Sequence, residues 1–388
     1  WVFFGQVATS LSAFIVMVLL VNYLDKAEYG QYRYVISLIL ILSLFTLPGL
    51  NTALTQSTAS GHEGQLNRVV KTKITWGFLG SVVSLLIAAY YWINQDISLA
   101  VSFIIVAAFI PFYGTFFVYY YYLQGKQLFS QSALIQSVSR IIFVVVMVAA
   151  VFLTQQAVWL IAAYMASTIL MQIAGYYWTV KKNKDSEKLD EDLVSYGKYL
   201  TLFSATPSTI AVQIGVIATW FYLGDVEAAI YAVAIMLPME ANRFGTILNQ
   251  ISLPKITKQE IDISALFVKI AKFEFVLLLV WVVYAITAPF IFNIFFPTYP
   301  EAVMYSIVAM LMALLVPKVI LRGFLLAKKR KSEIKAVSLI TPLIQIVLTL
   351  SLIPLFGIMG AIAATLVAWT IEYVILIYFV AQTKSEQA

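Results

Sequence analysis

Long apolar runs, separated by short polar segments, extend along the whole chain. A helix needs about 20 apolar residues to cross the hydrocarbon core of a bilayer, and twelve runs are long enough. The predicted spans are 1–24, 31–57, 72–94, 98–122, 132–154, 157–180, 197–222, 228–253, 268–296, 301–326, 334–354 and 358–381. Many of these runs are uninterrupted, whereas membrane-spanning strands alternate with a period of two. The pattern therefore predicts an all-α polytopic membrane protein with 12 transmembrane helices.

The longest polar segment, KKNKDSEKLDEDLVSYGK, divides these runs into two sets of six. Because each set contains an even number of spans, both sets enter the membrane from the same side. This arrangement predicts parallel repeats about an axis along the membrane normal. The predicted organisation is a six-helix bundle at 1–180, a cytoplasmic linker at 181–196 and a second six-helix bundle at 197–388.

The second helix of each half begins with a related pattern, LDKAEYGQYRYVISL in the first half and LGDVEAAIYAVAIML in the second. Glu28 and Glu227 match at an offset of 199 and fall at the helix N-termini. A carboxylate there meets free amides and the positive end of the helix dipole, worth about 0.3 to 1 kcal/mol. Tyr32 and Tyr231 lie one turn later, at a depth that suits the preference of tyrosine for the membrane interface. The pattern supports an internal duplication.

Composition agrees with a membrane protein, because 62% of the 388 residues are hydrophobic and 11% are charged. A soluble domain usually has about 25% charged residues. The chain contains no cysteine, which excludes disulfides and thiolate metal sites. The single histidine, His62, lies in the loop SGHEG without an acidic cluster and offers no metal site. No cofactor and no metal are predicted.

Basic residues are concentrated in the loops after even-numbered helices, and Lys73 is assigned to the first of these loops. The loops after odd-numbered helices carry only Lys26. By the positive-inside rule, both termini and the linker are predicted to be cytoplasmic. The formal net charge of +6 then reflects topology and anionic lipid head groups, not nucleic acid. The outer loops are only a few residues long, so we expect no folded catalytic domain outside the membrane.

Several stretches resemble the polysaccharide flippases of the multidrug, oligosaccharidyl-lipid and polysaccharide exporter superfamily. They are LDKAEYGQY and LPGLNTALTQSTASG in helix 2, SYGKYLTLFSATPSTIA in helix 7 and IYAVAIMLPMEANRFGTILNQISLPKI in helix 8 and its exit. The resemblance implies two bundles around a central cavity, lined by the first two helices of each half, and alternating access. It implies as cargo an undecaprenyl-pyrophosphate-linked oligosaccharide, moved from the inner to the outer leaflet of the bacterial cytoplasmic membrane. Membrane lipids, a polysaccharide polymerase and the chain-length machinery are the other partners that it implies.

Charged residues inside the spans are the candidate cargo ligands, because each costs at least about 2.5 kcal/mol at mid-bilayer. Arg243 is the first candidate, about 22 Å from the outer end of helix 8 at 1.5 Å per residue. Glu240 lies on the same helix face, three residues earlier. In the functional interpretation Arg243 binds a pyrophosphate or sugar acid and Glu240 positions it. In the structural alternative the two side chains neutralise each other as an ion pair inside the bundle.

The other intramembrane charges each have two interpretations. Lys318 in helix 10 and Glu372 in helix 12 neutralise one another, or one of them belongs to a coupling-ion path. Arg322 snorkels to the lipid heads or faces the cargo. Arg140 in helix 5 serves the cavity or a neighbouring carbonyl. Arg33 lies near the outer surface, where cations are tolerated, or helps to release an anionic head group at the cavity mouth.

Neutral polar residues on the expected cavity lining are Gln6, Thr9, Asn51, Thr52, Gln56, Gln213 and Asn249. They bind sugar hydroxyls or, equally, form interhelical hydrogen bonds worth about 0.6 kcal/mol each.

Prolines that interrupt the spans are Pro48, Pro111, Pro207, Pro238, Pro289 and Pro317. Each can bend its helix by removing one backbone hydrogen bond. The aromatic run from Tyr119 to Tyr122 is predicted to anchor helix 4 at the cytoplasmic interface.

Three function classes are weighed. A flippase needs a hydrated cationic cavity for the phosphates, and an outward-moving negative charge gains about 2.3 kcal/mol per 100 mV. Ion coupling is then unnecessary, although Glu372 leaves it open. A multidrug or cation antiporter of the same superfamily would need acids in the first helix, but residues 1–24 carry no charge. A glycosyltransferase, polymerase or ligase would use Asp25 and Glu28, but large outer loops are missing. The sequence therefore predicts a flippase and not an enzyme.

Overall fold

The computed structural model describes residues 2–183, 188–242, 245, 263–328 and 330–385. Within these ranges the regular structure is helical and no strand occurs. Seven of the described helices are long and apolar enough to cross a membrane, and one bent pair of shorter helices raises the number to eight. The predicted all-α, polytopic architecture is confirmed, whereas the number of twelve spans stays a prediction.

Internal contacts divide the chain into two units, Trp1–Thr209 and Ile210–Ala388. The division falls inside the seventh predicted span and not in the polar linker. The linker is bound to the first unit, because the Asp190 carbonyl oxygen accepts hydrogen bonds from Gln65 and Arg68. The predicted repeat boundaries at 1–180 and 197–388 stay a prediction.

The first unit is built from helices that follow the first six predicted spans and part of the seventh. They are α1 (Val2–Tyr23), α2 (Lys26–Leu42), α3 (Gly49–Ala59), α4 (Leu66–Ile93), α5 (Ile97–Phe109), α6 (Val118–Gly125), α7 (Phe129–Leu153), α8 (Ala157–Lys182) and α9 (Leu193–Leu200). Helix α10 (Thr206–Leu223) begins in this unit and continues into the second. The second and fourth predicted spans are therefore each made of two helices.

The second unit continues with α11 (Asp225–Ala234), helical residues 236–242, α12 (Ile263–Phe295), α13 (Ala302–Ala309), α14 (Lys318–Ala327) and α15 (Lys331–Ser385). Helix α15 consists of two helices joined at Gly357, whose φ of 59° is left-handed. Such a φ is readily adopted only by glycine. The junction lies between the predicted eleventh and twelfth spans, as the sequence indicates.

Prolines mark several of the helix breaks, as predicted, whereas α12 continues through Pro289. After α2 the chain forms a 3₁₀ turn at Ser43–Thr46, Leu47 adopts a left-handed φ of 55°, and Pro48 precedes α3. Together these features bend the second span by 48°. Pro111 lies in the irregular stretch between α5 and α6, and Pro317 directly precedes α14. A π-helical stretch, Thr201–Ala205, precedes Pro207.

The core of the first unit joins α3, α4, α6 and α9 through a cluster that includes Leu50, Val69 and Leu193. Tyr119 and Tyr122 belong to this cluster and are 1% and 0% exposed. The prediction that the Tyr119–Tyr122 run anchors at the interface is therefore wrong for these two rings. The physical reason is that α6 packs against α3, α4, α7 and α8 together, so its aromatic side chains fill the bundle.

Helices α3 and α9 approach each other at Gly49 and Gly197. A Cβ on Gly49 would lie 2.3 Å from the Gly197 carbonyl oxygen and 2.4 Å from the Thr201 backbone nitrogen. The Gly49 N–H donates to Thr201 Oγ1 at 2.9 Å. Since backbone atoms surround the site, no side-chain rotation would make room for a methyl group.

We expect Gly49→Ala to lower the free energy of unfolding by about 1–3 kcal/mol, because overpacking forces the two helices apart. Thermal or chemical denaturation of the purified protein in detergent measures the change. Thr52→Ala, which introduces the same residue at an exposed position of α3, serves as the matched control. Equal denaturation midpoints for the two variants would contradict the close contact.

The repeated pattern does begin helices, because α2 starts at Lys26 and α11 at Asp225, with Glu28 and Glu227 in the first turns. Glu28, however, also serves another helix: its Oε2 accepts the Ala157 N–H at the start of α8 at 2.6 Å. The carboxylate thus meets a free amide of a neighbouring helix N-terminus. This contact was not predicted, because only the local register of α2 was considered.

The tyrosines of the repeated pattern lie inside the units. Tyr32 is 5% and Tyr231 2% exposed. The ring of Tyr32 makes an edge-to-face contact with Tyr164, with centroids 6.4 Å apart, and the Tyr231 hydroxyl occupies the space beside Gly215. The interpretation of these two residues as interface-seeking tyrosines is therefore wrong, because close helix packing determines their environment.

We expect Glu28→Ala to lower stability by about 1 kcal/mol, the usual cost of losing a side-chain acceptor at a helix N-terminus. Glu227→Ala is its equivalent in the second half. It removes only the helix-dipole contribution of about 0.3–1 kcal/mol. Comparing the two denaturation midpoints measures the contribution of the Ala157 contact. A larger loss in Glu227→Ala would contradict the assignment.

Candidate functional site: charged side chains inside the helical units

The sequence-predicted pair of Arg243 and Glu240 is only half covered by the described residues. Glu240 lies in helical residues 236–242 and is half-buried, whereas Arg243 lies outside the described residues. Asn249 also lies outside them, as do the side chains of Gln6 and Thr9. The proposed roles of these residues therefore stay predictions.

Lys73 is the most deeply buried cation of the first unit, with 1% of its surface exposed. It lies about 10 Å along α4 from the first residue, Leu66. Its Nζ donates a hydrogen bond to Asn51 Oδ1 at 3.1 Å. The assignment of Lys73 to a cytoplasmic loop is wrong, because α4 begins before the apolar run and carries Arg68 and Lys71 in its first turns.

Asn51 lies between helices α3, α4 and α6 at this position. Its Oδ1 accepts from Lys73 on α4, and its side chain lies close to Tyr121 on α6. Its own helix, α3, follows the break at Pro48. Asn51 was predicted either to bind sugar or to connect helices, and the structure shows one interhelical bond, from Lys73.

Arg33 on α2 is half-buried, and its Nε is buried without a hydrogen-bond partner among the described residues. It lies close enough to Tyr29 and Tyr32 to act on both electrostatically. A guanidinium nitrogen in this position retains an unused donor. The structure therefore places Arg33 inside the first unit and not solely in contact with the surrounding lipid.

Arg140 on α7 lines a cavity of about 50 Å³ between α6, α7 and α8. It lies about 17 Å along α7 from Phe129 and is therefore near the middle of the helix. The polar residues lining the cavity with Arg140 are Gln136, Ser139, Thr168 and Gln172. Gln172 Oε1 is buried and accepts no hydrogen bond from the described residues.

A row of neighbouring tyrosine side chains extends through the unit from Arg33 to Arg140. Tyr164 contacts Tyr32 edge to face and exchanges a hydroxyl–hydroxyl hydrogen bond of 2.9 Å with Tyr113. Tyr113 in turn lies within electrostatic reach of Arg140. The two arginines therefore belong to one continuous set of polar aromatic side chains.

Few carboxylates of the first unit lie near these basic side chains. Helices α3 to α8 contain no Asp or Glu. Glu28, in the first turn of α2, is bonded to Ala157, and Asp96, before α5, accepts from the Leu99 N–H. Within the described part of the unit, the basic side chains of Lys73, Arg33 and Arg140 therefore have no carboxylate partner.

The second unit contains a different arrangement, in which charges are paired. Lys318 Nζ lies 2.8 Å from Glu372 Oε2 and 3.7 Å from the centroid of the Trp369 ring. Arg322 Nη1 lies 3.9 Å from Glu372 Oε1, and Arg322 Nη2 donates to Ser338 Oγ at 2.6 Å. Of the two interpretations of Lys318 and Glu372, this geometry corresponds to mutual neutralisation.

Sequence reasoning also missed Glu274 on α12, which accepts a hydrogen bond from the Tyr373 hydroxyl on α15. Among the neutral candidates, Gln56 and Thr52 are exposed and Gln213 is half-buried.

The sequence did contain a signal for the burial of Lys73. Residues at helical spacing form the buried face of α4, and they are Val69, Lys73, Gly77, Gly80, Ser84 and Ala88. For Lys73, this helical spacing is a better guide to burial than the number of basic residues nearby.

Several long apolar helices, broken spans and charged side chains inside the bundles define a multi-pass membrane protein. Over residues 1–259 the sequence matches the family described as polysaccharide biosynthesis protein, and the chain belongs to that family. No curated protein matches the chain at a significant level.

Solved structures with this fold include the lipid II flippase MurJ in an inward closed conformation, with a TM-score of 0.76 and 13% identity, covering 98% of this chain and 88% of that chain. An inward-facing multidrug resistance MATE family transporter has a TM-score of 0.66 and 12% identity, with 98% of each chain covered. A MOP superfamily transporter from Pyrococcus furiosus has a TM-score of 0.58 and 14% identity, covering 98% and 94%. These likenesses establish the fold, which is that of MOP superfamily transporters and flippases, and the predicted resemblance is confirmed.

Proposed function

We propose that this protein is a flippase that moves undecaprenyl-pyrophosphate-linked oligosaccharide from the inner to the outer leaflet of the bacterial cytoplasmic membrane by alternating access. Family membership and fold support a membrane transporter or flippase. The observation that carries the choice of cargo is the set of basic side chains without a carboxylate partner inside the first unit, Lys73, Arg33 and Arg140.

The charge argument rests on the cost of burial. An unpaired cation inside a protein costs several kcal/mol even after relaxation. Charge-assisted hydrogen bonds to phosphate are about twice as strong as neutral ones, so a pyrophosphate head group is the complementary ligand. A cationic drug would meet repulsion in this unit, and the same three side chains therefore disfavour the cation antiporter.

The proposed direction follows from the charge of the cargo. The distribution of Lys and Arg supports a cytoplasmic position for both termini. Moving a negative charge outward then gains about 2.3 kcal/mol per charge per 100 mV of inside-negative potential. Since Glu372 is engaged with Lys318 and Arg322, it is not needed as an ion carrier in this scheme.

Arg243, with Glu240, is proposed as a further pyrophosphate ligand in the eighth predicted span, 228–253. We expect Arg243→Ala to abolish glycan export while the protein remains in the membrane, because a charge-assisted phosphate contact is lost. Export in cells and the amount of membrane-inserted protein measure the two effects. Glu227→Ala, one residue before the same predicted span and in the first turn of α11, is the control. Normal export by Arg243→Ala would remove this assignment.

A leaflet-transfer assay in proteoliposomes tests the proposed function. A fluorescent undecaprenyl-pyrophosphate-linked oligosaccharide is compared with the same sugar on uncharged undecaprenol, and a membrane-impermeant quencher reports the exposed leaflet. We expect protein-dependent transfer of the pyrophosphate-linked form at least about tenfold above the uncharged form. Equal rates, or no transfer, would overturn the proposal. Efflux of a cationic dye instead would indicate the antiporter, and new glycosidic bonds would indicate an enzyme.

A further inference from the structure

Helices α7 and α8 form an apolar groove on the surface of the first unit, with a volume of about 300 Å³. Its α7 wall carries Leu134, Ile135, Val138, Ser139 and Ile142, and its α8 wall carries Met171, Ala174, Gly175 and Trp178. Leu134 and Val138 are among its exposed members. In a membrane-spanning unit such a surface faces hydrocarbon.

The deep end of the groove meets the cavity of Arg140. Ser139 and Met171 line both the groove and the cavity. Arg140 and Gln172 line the cavity, and the buried Gln172 Oε1 has no hydrogen-bond partner among the described residues. An apolar surface therefore leads directly to polar groups that are ready to bind a ligand.

The other end of the groove is basic and aromatic. Trp178 lies at this end with the Lys182 ammonium 4.5 Å from the centre of its ring. Lys181 and Lys182 form the exposed last turn of α8. Tryptophan and lysine together are typical of a membrane interface, where lysine attracts lipid phosphate. Neither α7 nor α8 contains an Asp or Glu that would repel an anion.

We propose that the α7–α8 groove holds the isoprenoid chain of the lipid-linked pyrophosphate while its head group passes from Lys181 and Lys182 to the Arg140 cavity. This inference rests on the proposed function for the identity of the cargo. Complementary charge at both ends, a hydrocarbon-lined wall between them and the unused Gln172 acceptor support this occupant. The isoprenoid stays in contact with membrane lipid throughout. Only the polar head group therefore crosses a path lined by protein.

The absence of cysteine makes the test specific, because a single introduced thiol is unique in the chain. Ala174→Cys, in the groove, and Leu170→Cys, exposed one turn away on α8 but outside it, are each reconstituted and then capped with a bulky maleimide. Modification after folding separates blocking of the groove from misfolding. An undecaprenyl-pyrophosphate sugar with a diazirine on its chain is used for photo-crosslinking.

We expect wild-type adducts to map to α7 and α8, and capping at Ala174→Cys to reduce both the adduct and leaflet transfer at least tenfold. Capping at Leu170→Cys should change neither. Arg140→Gln should reduce transfer but keep the adduct, because the chain and head group bind at different ends. Adducts elsewhere, or equal displacement by excess phosphatidylglycerol, would overturn the inference and identify an ordinary lipid contact. Adduct formation in the groove without any transfer by wild-type protein would instead contradict the proposed function.

Discussion

Glu372→Gln is expected to lower the free energy of unfolding by about 3–5 kcal/mol, because it leaves Lys318 buried without its counter-charge. The two side chains are 2.8 Å apart and only 9% and 11% exposed. Arg322, 3.9 Å from the same carboxylate, loses a partner as well. Denaturation midpoints in detergent, with the amount of folded protein recovered from membranes, measure the effect.

The double variant Lys318→Met/Glu372→Gln is the matched control. Removing both charges avoids the unpaired cation, and replacing a buried ion pair by neutral side chains of similar size is often neutral or stabilising. We therefore expect the double variant to be more stable than Glu372→Gln alone. If the two variants are equally unstable, the carboxylate acts through something other than Lys318. If Glu372→Gln is as stable as wild type but transports nothing, the coupling-ion interpretation is favoured instead.

Lys73→Gln is expected to reduce transfer of the pyrophosphate-linked cargo by about 10- to 100-fold while leaving the protein folded. A charge-assisted hydrogen bond to phosphate is worth about 1.5–3 kcal/mol, and each 1.4 kcal/mol is a factor of ten. Glutamine retains a donor for Asn51, so the bond that connects α3 with α4 persists. The leaflet-transfer assay measures the rate, and thermal unfolding measures the stability.

Lys71→Gln, which removes an exposed charge two residues earlier on the same helix, is the control for net charge and should transfer at the wild-type rate. Equal transfer by wild type and Lys73→Gln would show that Lys73 only connects α3 and α4. An equal loss in both variants would show that overall positive charge, and not the buried position, determines the rate.

Much of the fold was predictable, because the bilayer requires long apolar helices and proline cannot supply the hydrogen bond that continues one. The breaks at Pro48, Pro111 and Pro317 lie where the sequence indicates. The boundary between the two units at Thr209 and Ile210 was not predictable. Polar composition locates a linker, but it does not show which helices the linker binds. Asp190 is bonded to the first unit by two side chains that are distant in sequence.

The candidate site was only partly predictable. Charge inside an apolar run identified Arg140, Lys318 and Glu372, but only tertiary structure shows that the last two form a pair. Lys73 was missed because neighbouring basic residues make its segment look like a loop. Its position on the small-residue face of α4 places it inside the unit. The burial of Tyr119 also depends on non-local packing, which composition does not reveal.

Two irregular points from distant parts of the sequence are tied together where the Gly49 N–H meets Thr201 Oγ1. One follows the bend at Pro48 and the other begins the π-helical stretch of the seventh span. The hydrogen bond therefore joins the bend of the second span to the π-helical stretch of the seventh span. Since α10 continues the chain from this contact, we expect the seventh span to respond to any change of the bend at Pro48.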